Sequence, residues 1–200
     1  VTMLKNGLIA VAIFSLLGAN CAFAAGPAGM ARGLQKAPAY SYISEKRRAM
    51  APFAHIMFCA KNPNECEARN GASTIILTAL ADKQLHSVNN IVNRSIIPVN
   101  DASDSPADDI WQVNVSSGDC EDFALTKRDH LIAMGWSPKA LRIAITKTAE
   151  GEGHAVLVVR TDRGDLVLDN RTNTIKPWRN AGLRWLKIQS GDNPREWFEL

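Results

Sequence analysis

From Leu141 to Lys147 the apolar Leu141, Ile143 and Ile145 alternate with Arg142, Ala144 and Thr146, a two-residue period that predicts a β-strand. Residues 154–160 and 166–168 read as two further strands around Thr161, Asp162, Arg163 and Gly164, a four-residue hairpin loop. That loop length sets Arg160 opposite Asp165 and Val156 opposite Asp169. Residues directly across a ladder share a face, as do residues two apart, so Asp169 falls diagonally beside His154. A loop of odd length without a bulge would send the two to opposite faces. Residues 185–188 and 196–199 are expected to close the sheet.

Helical periodicity lies upstream. Ser73 or Thr74 is the expected cap of a helix running to about Asn93, with Ile76, Leu77, Leu80, Leu85, Val88, Ile91 and Val92 as its apolar positions. A second helix enters at Gly118-Asp119-Cys120-Glu121-Asp122 and ends at Gly135, with Pro138 beyond. Cys120, Phe123, Ala124, Leu131 and Met134 share one side of it. Lys127 falls among them and is expected to carry its ammonium outward on an apolar stem. Helices followed by antiparallel strands make an α+β domain, with a cysteine at a helix start facing the sheet, as in papain-like enzymes.

The N-terminus has another pattern. Lys5 precedes an apolar run at 8–19, and Ala22-Phe23-Ala24 forms a small-residue cleavage signal. The run is shorter than the ~20 residues of a membrane span. Residues 1–24 are therefore expected to be a signal peptide, 25–39 a flexible lead-in rich in Gly and Pro, and 40–200 a single domain. A membrane anchor and a lipoprotein signal ending at Cys21 are the competing readings. Export, to the periplasm or outside the cell, follows, with no stable span once the signal is cleaved.

Composition changes this picture little. Apolar residues make up 46% and charged residues 22%, both ordinary for a globular chain. Of 23 basic and 20 acidic residues the leader holds only Lys5, and the one basic cluster is Lys46-Arg47-Arg48, so nucleic acid is not an expected partner. Cysteine usage matters more. With Cys21 removed, Cys59, Cys66 and Cys120 remain, and an odd count in an oxidising compartment implies one pair and one free thiol. Cys59 and Cys66 bracket a short turn-rich loop that could close a disulfide, leaving Cys120. His55, among apolar neighbours, reads as a packed residue.

A cysteine in the first turn of a helix meets unpaired N–H groups and the positive end of the dipole, which favours a thiolate. Cys120, His154 and Asp169 then read as nucleophile, base and orienting carboxylate. The Cys120 amide is one expected oxyanion donor, with Gln112 or the Trp111 indole as the other. Asp119, Glu121 and Asp122 oppose the dipole by raising the thiol pKa, and a bound cation would cancel that. Acids also crowd 100–109 (Asp101, Asp104, Asp108, Asp109), either as a solvated loop or as cation ligands, with spacing unlike an EF-hand.

Gly118-Asp119-Cys120-Glu121-Asp122-Phe123-Ala124, Gly153-His154-Ala155-Val156-Leu157 and Leu168-Asp169-Asn170 resemble the bacterial transglutaminase-like cysteine proteinases. Phe58-Cys59 with Pro63 and Cys66, Val88-Asn89 with Val92-Asn93, and Asp109-Ile110-Trp111 extend the resemblance over about residues 50–200. It implies a transglutaminase-core fold and a Cys-His-Asp triad at Cys120, His154 and Asp169. It further implies an exported or cell-surface protein or peptide as substrate. One branch of the family is calcium-dependent, which implies calcium at Asp119, Glu121 and Asp122; no organic cofactor is called for. Acyl transfer to an amine or water at glutamine side chains, and a non-catalytic calcium- or protein-binding module, are the alternatives. Product masses separate the first, and an unreactive Cys120 would mark the second.

Overall fold

The computed structural model describes residues 40–100 and 109–200. The expected signal peptide, the lead-in, and Asp101, Asp104 and Asp108 lie outside the described residues. The elements are β1 (Arg48–Ala49), α1 (Phe53–Lys61), α2 (Ala79–Ser95), β2 (Ile97–Pro98), β3 (Ser117–Gly118) and α3 (Cys120–Ala133), then β4 (Leu141–Lys147), β5 (Gly153–Thr161), β6 (Gly164–Leu168), β7 (Lys176–Pro177), β8 (Arg184–Gln189) and β9 (Trp197–Glu199). Seven strands form an antiparallel sheet in the order β1-β9-β8-β4-β5-β6-β7, while β2 and β3 pair in parallel just ahead of Cys120. This is the expected α+β arrangement. Among the described residues no helix is long and apolar enough to cross a membrane.

Both faces of the sheet are covered. Leu141, Ile143, Leu157, Val159 and Leu168 pack with Leu85, Val88 and Val92 of α2 and Phe123 and Leu131 of α3. On the other face Ala144, Val156, Val158 and Ile188 meet Ile43, Trp178 and Trp185. Each fully buried Leu, Val or Phe contributes about 1.5–3 kcal/mol. Double coverage explains why the polar half of the β4 alternation is buried too. Arg142 is only 2% exposed, bonded to Glu45 at 2.7 Å and beside Asp165 at 3.5 Å.

The β5–β6 hairpin keeps the expected register, with Arg160 opposite Asp165. Its turn is tighter than expected, since Thr161 pairs with Gly164 and only Asp162 and Arg163 are left between them. Losing two loop residues preserves the parity of the strands. The start of α2 differs more. Its cap is Thr78, whose hydroxyl accepts the Ala81 N–H at 3.1 Å, not Ser73 or Thr74. The intervening Ile75 is held by the sheet instead: its N–H donates to the Arg160 carbonyl, and its carbonyl accepts the Asp162 N–H. Backbone bonds to a strand leave no freedom for a helical turn there.

The C-terminus of α3 is fixed as expected. Gly135 takes φ +89°, which lets its N–H reach the Ile132 carbonyl and the Trp136 N–H reach that of Leu131. Cys59, near the end of α1, is disulfide-bonded to Cys66 with 5.5 Å between their Cα atoms.

Candidate active site

Cys120 is the first residue of α3, and the end of β6 decides what meets it. The β5–β6 pairing extends no further than Leu157 with Leu168, so residues 153–155 of β5 pair only with β4. The Ala155 N–H is thereby left to donate to the Cys120 sulfur, at 3.2 Å. The thiol in turn donates to Glu121 Oε2 at 3.3 Å. Among the described residues these are its partners, and His154 does not bond it directly.

His154 and Asp169 are each 6% exposed, and His154 Nε2 lies 3.0 Å from Asp169 Oδ1. Burial alone would raise the Asp169 pKa. The bonds from His154 and from the Arg171 backbone and side chain reverse that and hold the carboxyl well below its usual range. Arg171 N–H reaches Oδ1 at 2.9 Å, and its guanidinium reaches Oδ2 at 3.2 Å. An ionised carboxylate can only accept, so Nε2 carries the imidazole proton and Nδ1 is the basic nitrogen. Asn93 Nδ2 donates to the Asp169 carbonyl at 3.1 Å, fixing the backbone that presents this carboxylate.

Asp119, Glu121 and Asp122 converge, with one oxygen from each within 4.8 Å of the others. Asp122 Oδ1 accepts the Gln112 N–H at 2.7 Å, and a Cβ on Gly118 would run into the Asp122 carboxylate. Glycine is therefore required two residues ahead of Cys120. Asp119 Oδ1 and Glu121 Oε1 are buried with no hydrogen-bond partner. Burial, then the Asp119 carboxylate, push Glu121 far above a normal carboxyl, with Asp109 adding to the repulsion. Burial first, then the charge of Glu121, push the Cys120 thiol up, and the Ala155 N–H opposes them. Without a cation, the expected helix-dipole effect is thus outweighed. Two orphaned carboxylate oxygens in an all-oxygen cluster fit a hard cation such as calcium.

Neither expected oxyanion side chain hydrogen-bonds the Cys120 sulfur, whose partners are Ala155 and Glu121. Trp111 is spent in the core, edge-on to His55 at 5.3 Å and to Trp197 at 6.4 Å. Gln112 binds Asp122 through its backbone, and its side chain is exposed. His55, Cys59 and Cys66 also converge, but both sulfurs are joined in the disulfide and Trp197 Nε1 donates to His55 Nδ1 at 3.3 Å. The bonds from Ala155, Arg171 and Asn93 have no sequence signal, except that Asn89 and Asn93 recur four apart on the core side of α2.

Lys127 contradicts the expectation of an outward ammonium. Residues 121–128 are all buried, so its stem has no route to water, and the residue is 0% exposed. Burial lowers its pKa to about 7, against the opposing pull of Asp169.

Solved structures of LapG from Legionella pneumophila resemble this chain. The calcium-bound form aligns with a TM-score of 0.51 and 26% identity over 58% of this chain and 68% of that one. A second LapG structure gives 0.50 and 27% over 58% and 68%, and the EGTA-treated form 0.50 and 27% over 58% and 66%. No curated protein matches by sequence. The family model described as bacterial transglutaminase-like cysteine proteinase BTLCP matches residues 45–200, and the chain belongs to that family of cysteine peptidases.

Proposed function

We propose that this protein is an exported peptidase that cleaves a peptide bond of a protein substrate with Cys120 as nucleophile, His154 as base and Asp169 as orienting carboxylate. The carrying observation is the buried 3.0 Å His154–Asp169 pair on the strand whose next residue, Ala155, binds the Cys120 sulfur. Cys120 Sγ attacks the scissile carbonyl carbon as its proton passes to His154 Nδ1. The same proton then goes to the leaving amine as the C–N bond breaks, leaving a thioester. Water, deprotonated by His154, hydrolyses the thioester and restores the thiol. Asp169 keeps the ring in the working tautomer and stabilises the imidazolium, and the Cys120 amide at the helix start is a donor for the oxyanion.

LapG is described as calcium-bound, and here Asp119, Glu121 and Asp122 would hold such an ion. When bound, it supplies positive charge against the carboxylates that flank the thiol. Export is supported by the leader pattern and by the Cys59–Cys66 disulfide. The test is Cys120→Ala, which should keep the fold while losing cleavage and labelling by iodoacetamide at this position. Two fragments whose masses sum to the substrate plus water mark hydrolysis, whereas a single product of nearly unchanged mass marks deamidation. Unaltered cleavage by the variant contradicts the proposal.

A further inference from the structure

The β4–β5 turn and the chain entering β8 enclose a cleft of about 530 Å³ outside the group formed by Cys120, His154 and Asp169. Thr148, Ala149 and Gly151 form one wall, and Arg179, Leu183 and Arg184 form the other. Leu183 packs on the sheet face that Val156 and Val158 of β5 also meet. The two-residue period of a strand puts His154 on that same face. Position along the strands agrees. Lys147 pairs with Gly153 on one side and with Arg184 on the other, so Arg184 stands two strands from the residue before His154. At about 4.8 Å per strand that is about 10 Å, the span of roughly three residues of extended peptide.

The two arginines give the cleft its chemistry. Arg179 is held over the Trp178 ring, 4.5 Å from its centroid, and Trp178 is itself edge-on to Trp185 at 5.8 Å. That stacking fixes one guanidinium without neutralising it. Among the described residues neither Arg179 nor Arg184 has an ion-pair partner. Glu150 and Glu152 of the turn are exposed and lie outside the cleft's walls. Two fork-shaped donors beside an apolar leucine suit a carboxylate on a short aliphatic stem. We propose that this cleft is an acid-accepting subsite, in which Arg179 and Arg184 bind a substrate Asp or Glu roughly three or four residues from the scissile bond. The subsite presupposes the Cys120 peptidase proposed above.

The test uses the full chain and fluorescein-labelled hexaglutamate amide as probe, read by fluorescence polarisation, with the hexalysine amide as its counterpart. Hexaglutamate should bind wild type and Cys120→Ala alike, and hexalysine should bind neither. Arg179→Gln with Arg184→Gln should weaken binding about tenfold without moving the melting point. Arg184→Gln alone, with no stacking or ion pair to lose, should give part of that loss. Lys61→Gln with Lys83→Gln removes the same charge from exposed positions of α1 and α2 and should change nothing. Bound hexaglutamate should also slow iodoacetamide labelling of Cys120, followed by mass spectrometry, in wild type but not in the double arginine variant. Absence of binding overturns the inference. So does an equal loss in the two-lysine control, because net charge alone then explains it. Binding that leaves Cys120 labelling unchanged overturns it too, since the cleft then lies off the substrate's path. None of these measurements requires cleavage. Cleavage that persists in Cys120→Ala contradicts the proposed triad instead, a separate result.

Discussion

The Ala155 N–H donates to the Cys120 sulfur at 3.2 Å, so the strand that carries His154 also holds the thiol. The proposed nucleophile and base therefore come as one unit, although 34 residues separate them in sequence. The unit exists because β6 stops at Leu168, which frees the β5 edge at Ala155 and leaves Asp169 just past the strand, against His154. A short strand is the structural device that brings three chain segments to one point.

Asp169→Asn should leave the fold in place but lower kcat by about 10²–10⁴. An amide in that position can offer a hydrogen to Nε2 and so favour the wrong tautomer. Steady-state cleavage, with circular dichroism as the control for folding, checks it.

Acid should destabilise the protein through His55. This residue is 1% exposed, and burial first, then Arg128 and Arg195, lower its pKa to about 4. Its ordinary value is 6.5, so between the two the unfolded chain binds more protons than the folded one. Stability should rise with pH through that window, and up to about 3 kcal/mol should be lost as pH falls from about 6.5 to 4. Denaturant titrations at several pH values measure the slope, and His55→Gln should flatten it. An equal slope in that variant would assign the effect to other groups.

Calcium should raise the melting temperature and a chelator should lower it. At a free calcium concentration 100 times the dissociation constant, the stabilisation is about 2.7 kcal/mol. Changing Glu121 to Gln should weaken the response, since it replaces one oxygen of the cluster with an amide. A melting point indifferent to EGTA would show that Asp119, Glu121 and Asp122 hold no calcium.

Much of this site was legible in the residues, for reasons that differ by element. The β5–β6 register follows from parity alone, which is why it stood even though the loop shortened to Asp162 and Arg163. Cys120 at a helix start and Gly135 at the helix end are local signals with local causes. Lys127 was misread because periodicity gives the side of a helix but not how completely other elements enclose it. Thr78 was missed as a cap because Ile75 is claimed by the sheet, a contact spanning more than 80 residues. Trp111 gave no hint that it belongs with His55 and Trp197, which converge from three distant segments.

Peptide-bond cleavage by Cys120 with the help of His154 and Asp169 is the activity proposed for this protein. Its most direct test incubates exported and surface proteins of the source cells with wild type or Cys120→Ala and identifies new chain termini by mass spectrometry. Discrete new termini are expected with wild type and none with the variant. The same termini in both samples would contradict it.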